Sequence, residues 1–408
     1  MYPRLFFILC IVGFLLEFLT GAANPVIPLF AQSIGASGAF IGIVVSSYFF
    51  FRVFFDLPLG RMSDKIGRRT PIIFGLSLTI ITMILSGLVL DKYQLILTRG
   101  LWGLGACFFF GPASALIIDI FDLQVRGRAL GILVGIEIGG LFFGSLFGGY
   151  LALIFNYRMV FLISGLILIP ALVLSIISKE LKALGSTQRL RSQKEATDDS
   201  IKFLKSYRLL YVCFITFFIF FIYQGTILTI FPLYAHNSLN IDVSIIGVLI
   251  SMAGIGLFFA PFMVGFISKK IAPKNLLWTG ISFLIPSMYL LSFARSFEAF
   301  LPLMLISGFA KGVVMASAPI LAVEATNFRA TGASIGAYRT SLDLGNLVGP
   351  VVMTMIANSS TLSVFHFAAL LALVTVIPIL ALTTHAFPLI HVKQRLFSKC
   401  AIDRHSLE

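Results

Sequence analysis

The sequence predicts an all-α membrane protein of twelve transmembrane helices, and three features carry that expectation. Of the 408 residues 58% are hydrophobic and only 12% charged, with a mean hydropathy of +1.01. Water-soluble domains carry about 25% charged residues. The apolar residues also gather in runs of about 20, the length a helix needs to cross the hydrocarbon core. Strands of a closed barrel would alternate polar and apolar residues over about 10 positions, whereas these runs are apolar all round. Finally, the basic residues fall in alternate loops.

Arg61, Lys65, Arg68 and Arg69 form the first basic group, Arg126 and Arg128 the second, and the run from Lys179 to Arg208 the third. Lys269, Lys270 and Lys274 follow, then Arg329, then a tail with Lys393, Arg395, Lys399 and Arg404. The intervening loops hold only Lys92, Arg158 and Arg295. This asymmetry assigns both termini and the long central loop to the cytoplasm of a multi-pass plasma-membrane protein. It also accounts for the net charge of +13, so nucleic acid is not expected as a partner.

The expected spans cover approximately residues 5–30, 40–60, 71–90, 94–118, 129–154 and 158–178, then 209–234, 244–266, 275–294, 299–323, 332–356 and 362–384. They divide the chain into a six-helix bundle (1–178), a polar cytoplasmic linker (179–208), a second bundle (209–384) and a cytoplasmic tail (385–408). Arg4 with Gly21-Ala22-Ala23 imitates a signal peptide. The stretch after it, however, has an internal counterpart. Cys10, Cys107 and Cys213 fall in apolar runs and Cys400 in the tail, without the spacing of a zinc site or disulfide framework.

The two halves repeat. Pro28-Leu29-Phe30-Ala31 returns as Pro232-Leu233-Tyr234-Ala235, and Ile41-Gly42-Ile43-Val44-Val45-Ser46 as Ile246-Gly247-Val248-Leu249-Ile250-Ser251. Gly60-x-x-Ser63 matches Gly265-x-x-Ser268, although Lys269 stands where Asp64 does in the first half. Leu141-x-x-Gly144-Ser145-Leu-x-Gly148 matches Leu342-x-x-Gly345-Asn346-Leu-x-Gly349.

Between the second and third spans lies Gly60-Arg61-Met62-Ser63-Asp64-Lys65-Ile66-Gly67-Arg68-Arg69, read as a polar loop closed by Pro71. The positive-inside rule explains its cations but not the acid or the flanking glycines. The pattern resembles the signature loop of the major facilitator superfamily, and the resemblance extends over residues 5–384. It implies two pseudo-symmetric six-helix bundles related by an axis along the membrane normal; this superfamily is the standard example of that arrangement. It also implies a conformational latch. Asp64 would sit near the start of the eleventh helix, where a carboxylate meets the positive end of the helix dipole, with Arg68 and Arg69 holding it.

Further motifs point the same way. Arg99-Gly100-Leu101-Trp102-Gly103-Leu104-Gly105-Ala106 resembles the family's second motif. Arg99 lies several residues inside its span, where a charge costs roughly 2.5–3.5 kcal/mol on insertion scales and faces a cavity or a partner by default; snorkelling to the surface is the alternative. Arg126-Gly127-Arg128-Ala129-Leu130-Gly131 resembles the loop between the fourth and fifth helices. Gly140, Gly144, Gly148 and Gly149 resemble the fifth-helix motif of the drug:proton antiporter branch, but Ser145 stands where that pattern has proline. Small residues four apart also let helices pack closely whatever the substrate.

The intramembrane charges bear more directly on chemistry. Protonation removes the desolvation cost of a buried carboxylate, which makes Glu17 and Glu137 the candidate proton carriers. Permanent pairing of each acid with Arg99 or Lys311 is the alternative reading. Lys311, at mid-depth of the tenth helix, could bind an anionic group, pair with an acid or stay neutral. Asn24, Tyr48, Tyr223, Gln224 and Tyr338 are candidate cavity groups, although aromatics at such depth more often serve packing; His366 is read as structural. Arg52 and Asp56 on the second helix, and Arg339 and Asp343 on the eleventh, form two pairs with four-residue spacing, each on one helix face. If those helices abut, Arg52 can exchange onto Asp343 and Asp56 onto Arg339. That would make a cytoplasmic gate broken on inward opening; neutralisation within each helix is the alternative.

The expected function is secondary active transport by alternating access, with a proton gradient as the energy source. No phosphate-binding loop, His/Cys metal cluster or nucleophile motif is present, so no enzyme activity, cofactor or metal is expected. The expected partners are a small-molecule substrate, protons and the lipid bilayer, with the chain acting as a monomer. The resemblance favours proton-coupled efflux of amphipathic or drug-like molecules. Symport or uptake of an organic anion or sugar is the alternative, prompted by Arg99 and Lys311. A lipid flippase or a transporter-like sensor belongs to a different class.

Overall fold

In a computed structural model the chain is described over residues 3–182, 206–268, 271–326, 331–358 and 360–377. Every regular element among them is helical. The first membrane position is shared by α1 (Pro3–Ala23) and α2 (Ile27–Ser33). Then come α3 (Ala39–Ile66), α4 (Arg69–Leu88), α5 (Lys92–Ile120), α6 (Leu123–Ile154) and α7 (Tyr157–Ile177). The seventh position comprises α8 (Tyr207–Ile222), a π-helical segment (Tyr223–Ile230) and α9 (Phe231–Leu239). It is followed by α10 (Val243–Ile267), α11 (Pro273–Leu291), α12 (Phe297–Glu324), α13 (Thr331–Ala357) and α14 (Thr361–Val374). Among the described residues ten helical spans are long and apolar enough to cross a membrane. The 19-residue α11 and the 14-residue α14 occupy the ninth and twelfth places in the expected order. Linker residues 183–205, Lys269, Lys270, Arg329 and the tail from residue 378 lie outside the described residues.

Two expected boundaries are corrected. The signature stretch is helical as far as Ile66, so the expected ten-residue loop reduces to a turn at Gly67 and Arg68. Polar side chains end a membrane span without ending a helix, because Arg, Met and Lys are good helix formers in water. Gly67 ends it, with φ of 88°, a conformation open to glycine at little cost. The first span is likewise not one continuous helix, since it breaks at Asn24, Pro25 and Val26. Pro25 has no N–H for the Gly21 carbonyl and Pro28 none for Asn24. The seventh span responds differently at the corresponding point. Pro232 leaves the Leu228 carbonyl without its α-helical donor, and the chain winds into the π-helical turn.

Helix contacts repeat between the halves. In the first half α1 packs on α6, α3 and α4 on α5, and α4 on α7; in the second α8 packs on α13, α10 and α11 on α12, and α11 on α14. The halves meet along α3–α13 and α6–α10. Glycines make the close contacts. A side chain at Gly140, Gly144 or Gly148 would strike the carbonyls of Phe14, Phe18 and Ala22, and one at Gly345 or Gly349 those of Phe217 and Phe221. Close backbone approach of this kind drives helix association in lipid, where the hydrophobic effect is absent.

The side of the bundle where α7 ends and α8 begins is termed here the linker side, and the opposite one the far side. On the far side the halves are tightly closed. A Cβ at Gly149 would lie 2.9 Å from the Gly247 Cα, one at Gly254 3.1 Å from the Phe142 Cβ, and one at Gly38 2.9 Å from the Asn358 amide. Gly131 and Gly135 continue the Phe142–Gly149 face of α6, and Gly265 continues the Gly254 face of α10. A Cβ at any of these three meets nothing within 4 Å. The helices α6 and α10 therefore touch over their far-side halves and part towards the linker side.

Candidate substrate and proton site

The polar side chains converge near the middle of the bundle, beneath this divergence. On α1, Gly13 and Glu17 are four residues apart and share a face. A Cβ at Gly13 would sit 3.1 Å from both the Cγ and Oε1 of Glu137 on α6, so the missing side chain leaves the space this acid occupies. Glu17 and Glu137 are both half-buried, and Glu137 lies within electrostatic reach of Glu17. The sequence reading named both acids but not their adjacency, which depends on which face of α6 meets α1.

Two strands of positive charge flank the acids. On α3, Arg52 Nε lies 3.4 Å from Asp343 Oδ1 of α13, with side-chain exposures of 19% and 3%. The Arg52 guanidinium also sits 5.6 Å, 5.9 Å and 5.8 Å from the ring centroids of Tyr48, Phe49 and Phe110. Arg52, Asp56, Arg339 and Asp343 line one small cavity together with Gly336 and Thr340. Of the two exchanged pairings expected, Arg52–Asp343 forms, and Asp56–Arg339 is not among the described ion pairs. The pair is present in an arrangement in which α6 and α10 part towards the linker side.

The second group of cations is held by aromatic rings. Arg99 is 4% exposed, with its guanidinium 4.5 Å from the Trp102 centroid and 5.2 Å from that of Tyr48. Its Nε has no hydrogen-bond partner. Lys311 Nζ lies 4.0 Å from the Tyr223 centroid and 4.9 Å from that of Phe220. Cations held over rings in desolvated surroundings gain up to about 2 kcal/mol. Glu17 is within electrostatic reach of both Lys311 and Arg52. The described ion pairs include neither Arg99 nor Lys311 with an acid, so permanent pairing of the acids with these two cations is not the arrangement found.

Tyr48, Tyr223, Gln224 and Tyr338 are all buried, the middle two on the π-helical segment. Asn24 is half-buried at the break in the first span, while His366 meets the Ser292 hydroxyl at 3.1 Å away from this centre. Sequence reading missed Phe220, which is one of eight aromatics in or near α8 and carries no distinguishing signal. It also missed Asn346, whose buried Oδ1 has no hydrogen-bond partner. There a signal existed, because Asn346 replaces Ser145 in the repeat.

Away from the centre, the signature residues join α3, α4, α5 and α7. Arg68 Nη1 donates to Ser63 Oγ at 2.6 Å and its Nε lies 3.3 Å from Asp119 Oδ2; Arg69 Nη2 donates to the Ile176 carbonyl at 2.9 Å. The side chains of Asp64 and Arg126, and the surroundings of Gly60, lie outside the described residues. Gly140, Gly144 and Gly148 serve packing against α1, and Gly149 packs against α10.

Comparison with known proteins agrees with this architecture. At 27% identity over 372 residues, the chain is similar to the multidrug resistance protein MdtG of Enterobacter lignolyticus, covering 87% of each. It is also 27% identical over 375 residues to MdtG of Escherichia coli strain K12, covering 88% of this chain and 90% of that protein. Among solved structures, the nucleoside transporter NupG superposes with a TM-score of 0.75 at 15% identity, over 94% of this chain and all 100% of the other. A bacterial homolog of the human lysosomal transporter Spinster, in an inward-facing and unoccupied conformation, gives 0.70 at 16% identity over 93% and 96%. The family model of the Major Facilitator Superfamily matches residues 9–287 and 224–395, and with the helix contacts repeated between the halves this shows that the chain is a membrane transporter belonging to the major facilitator superfamily.

Proposed function

We propose that this transporter is a proton-coupled exporter of amphipathic, drug-like molecules, working by alternating access between the two halves. The observation that carries the reading is the adjacency of Glu17 and Glu137 across the α1–α6 contact, within reach of Arg52 and Lys311. Two coupled carboxylates in a desolvated centre resist carrying two negative charges at once. A proton taken by one is released when a cationic group nearby, from the protein or the substrate, stabilises the ionised pair. Glu17 is the principal carrier and Glu137 its partner. Asn24, Tyr48, Tyr223, Gln224 and Tyr338 supply polar contacts to the substrate, and Arg52 with Asp343 forms the floor of the cavity. The names borne by the MdtG relatives support the substrate class.

The rest of the reading follows from charge and repeat. Residues 1–178 and 209–384 act as the two moving bundles, both termini and the linker face the cytoplasm, and the protein works as a monomer. Asp64 with Arg68 and Arg69 steadies the closed arrangement of the linker side.

Reconstituted in proteoliposomes, the protein is expected to move protons opposite to an amphipathic substrate. Glu17→Gln is expected to abolish that exchange while leaving substrate binding measurable. Substrate-driven proton movement that is unchanged in both Glu17→Gln and Glu137→Gln would remove the reading. A second reading rests on Arg99 and Lys311, buried cations held by rings rather than by acids, which suit an organic anion. Proton movement in the same direction as an anionic substrate would select it.

A further inference from the structure

Apart from the polar centre, the described structure has a groove of about 510 Å³ on the far-side half of the membrane span. It is lined by Ile43, Ser46, Phe50 and Phe51 of α3, Leu97 and Gly100 of α5, and Val348 of α13, among others. Phe50, Leu97 and Val348 are 48%, 61% and 36% exposed. All three helices cross the membrane, so the groove opens sideways into lipid rather than into water. Its volume lies within the roughly 300–1,000 Å³ typical of small-molecule sites.

Two serines, Ser46 and Ser47, are the polar residues of this otherwise apolar lining. Ser46 is 3% exposed and its Oγ has no hydrogen-bond partner. Ser47, by contrast, donates to the Val44 carbonyl at 2.8 Å. An unmade hydrogen bond at a buried hydroxyl is a cost that an occupant relieves by supplying the partner. Ser46 lies seven residues along α3 from Ala39, or about 10 Å below the end of the helix at 1.5 Å per residue. The ester groups of a membrane lipid sit at the headgroup boundary, and at that depth a lipid would offer only hydrocarbon.

We propose that this groove is a lateral subsite for a single-chain or single-ring-system amphipath dissolved in the bilayer, with its apolar body between α3, α5 and α13 and an internal amide or hydroxyl on Ser46. The proposal rests on the efflux reading and deepens it, because it makes the bilayer the compartment from which substrate is taken. Since α3 and α5 belong to one half and α13 to the other, an occupant would bridge the surfaces that move relative to each other.

Photolabelling of the full-length protein in lipid nanodiscs tests this with three diazirine probes: a long-chain secondary amide, the matching hydrocarbon and a phosphatidylcholine. The amide is expected to label peptides containing residues 43–51, 96–100 and 347–351 above the exposed apolar patch of Leu166, Val173 and Ile177 on α7. Val348→Trp should fill the groove and lower that labelling about fivefold or more. Ser46→Ala, which removes no existing hydrogen bond, should weaken amide labelling about two- to tenfold and leave the hydrocarbon unchanged. Equal labelling of groove and control patch, indifference to both substitutions, or phosphatidylcholine labelling as strong as that of the amide would each overturn the proposal. Labelling is read without a proton gradient, so loss of proton exchange with labelling intact counts against the efflux reading, whereas intact exchange with labelling absent counts against the groove.

Discussion

Arg52 and Asp343 form an ion pair at 3.4 Å that joins the two halves of the molecule at the midpoints of α3 and α13. Placed there, it separates a far side where the halves are closed from a linker side where α6 and α10 diverge. Its acid is almost fully buried and its cation is cushioned by three rings. The pair therefore joins the halves where the closed and the parted regions meet.

Removing one member of a buried pair strands the other charge, which costs about 3–5 kcal/mol. The rings around Arg52 and its partial exposure set the expectation at the low end, about 3 kcal/mol for Asp343→Ala. Thermal unfolding in detergent measures this. The exchange Arg52→Asp with Asp343→Arg should recover at least half of the loss. No recovery would show that the rings and not the charges hold the contact.

The glycines of α6 serve two different states. Gly144 meets the Phe18 carbonyl in the structure as it stands, so Gly144→Leu should prevent folding. Gly135 meets nothing within 4 Å, and a leucine there has room and better helix propensity, by about 1 kcal/mol. For the linker side to close, however, the Gly135 face must approach Gly265. Gly135→Leu is therefore expected to leave the melting temperature unchanged or higher while transport falls about tenfold or more, since 1.4 kcal/mol against one state shifts the population by that factor. Wild-type transport in this variant would mean that α6 and α10 never close there.

Ser145 gives a chemical reason for the departure from the antiporter pattern. Pro25 cannot donate to the Gly21 carbonyl, and Ser145 Oγ lies 3.2 Å from that oxygen and 3.0 Å from the Leu141 carbonyl. Its single proton can serve either acceptor, and the Asn24 N–H also reaches Gly21 at 3.1 Å. Ser145→Ala should thus cost about 1 kcal/mol, read as a small drop in unfolding midpoint, with α1–α6 packing kept by the glycines. A drop as large as that of Asp343→Ala would mean that Ser145 holds α1 in a way these bonds do not describe.

Much of this architecture is legible in sequence because lipid imposes simple rules. Run length marks the spans, and the Gly144/Gly345 and Gly148/Gly349 repeat marks the close contacts of α6 with α1 and of α13 with α8. The Arg52–Asp343 pairing was legible as one of two alternatives, since helical spacing alone left neutralisation within each helix open. The signature stretch misled at its boundary because leaving the membrane and ending a helix are separate events, and only Gly67 signals the second. Lys311 was visible as a charge, but its ring cage was not. A phenylalanine facing lipid, such as Phe266 at 81% exposure, is indistinguishable by type from Phe220 beneath the ammonium. The meeting of Glu17 and Glu137 required the rotation of α6 about its axis, which an apolar-all-round helix does not encode in its hydropathy.

On the far side the halves are also joined by an amide pair, with Asn237 Nδ2 of α9 donating to Gln32 Oε1 of α2 at 3.0 Å. The pair is exposed, so water competes for both groups and its net contribution to stability is small, about 0.5 kcal/mol. Its position matters more. The residues follow Pro28 and Pro232, beyond the break in the first span and the π-helical turn in the seventh, on the segments α2 and α9 that must separate if the far side opens. In a background without native cysteines, Gln32→Cys with Asn237→Cys joined by a short cleavable bis-thiosulfonate is expected to stop transport completely and to release it on reduction. The single substitutions should transport normally, because the hydrogen bond itself holds little. Transport that continues through the cross-link would mean that the far side does not part at these segments and that the substrate leaves by another route.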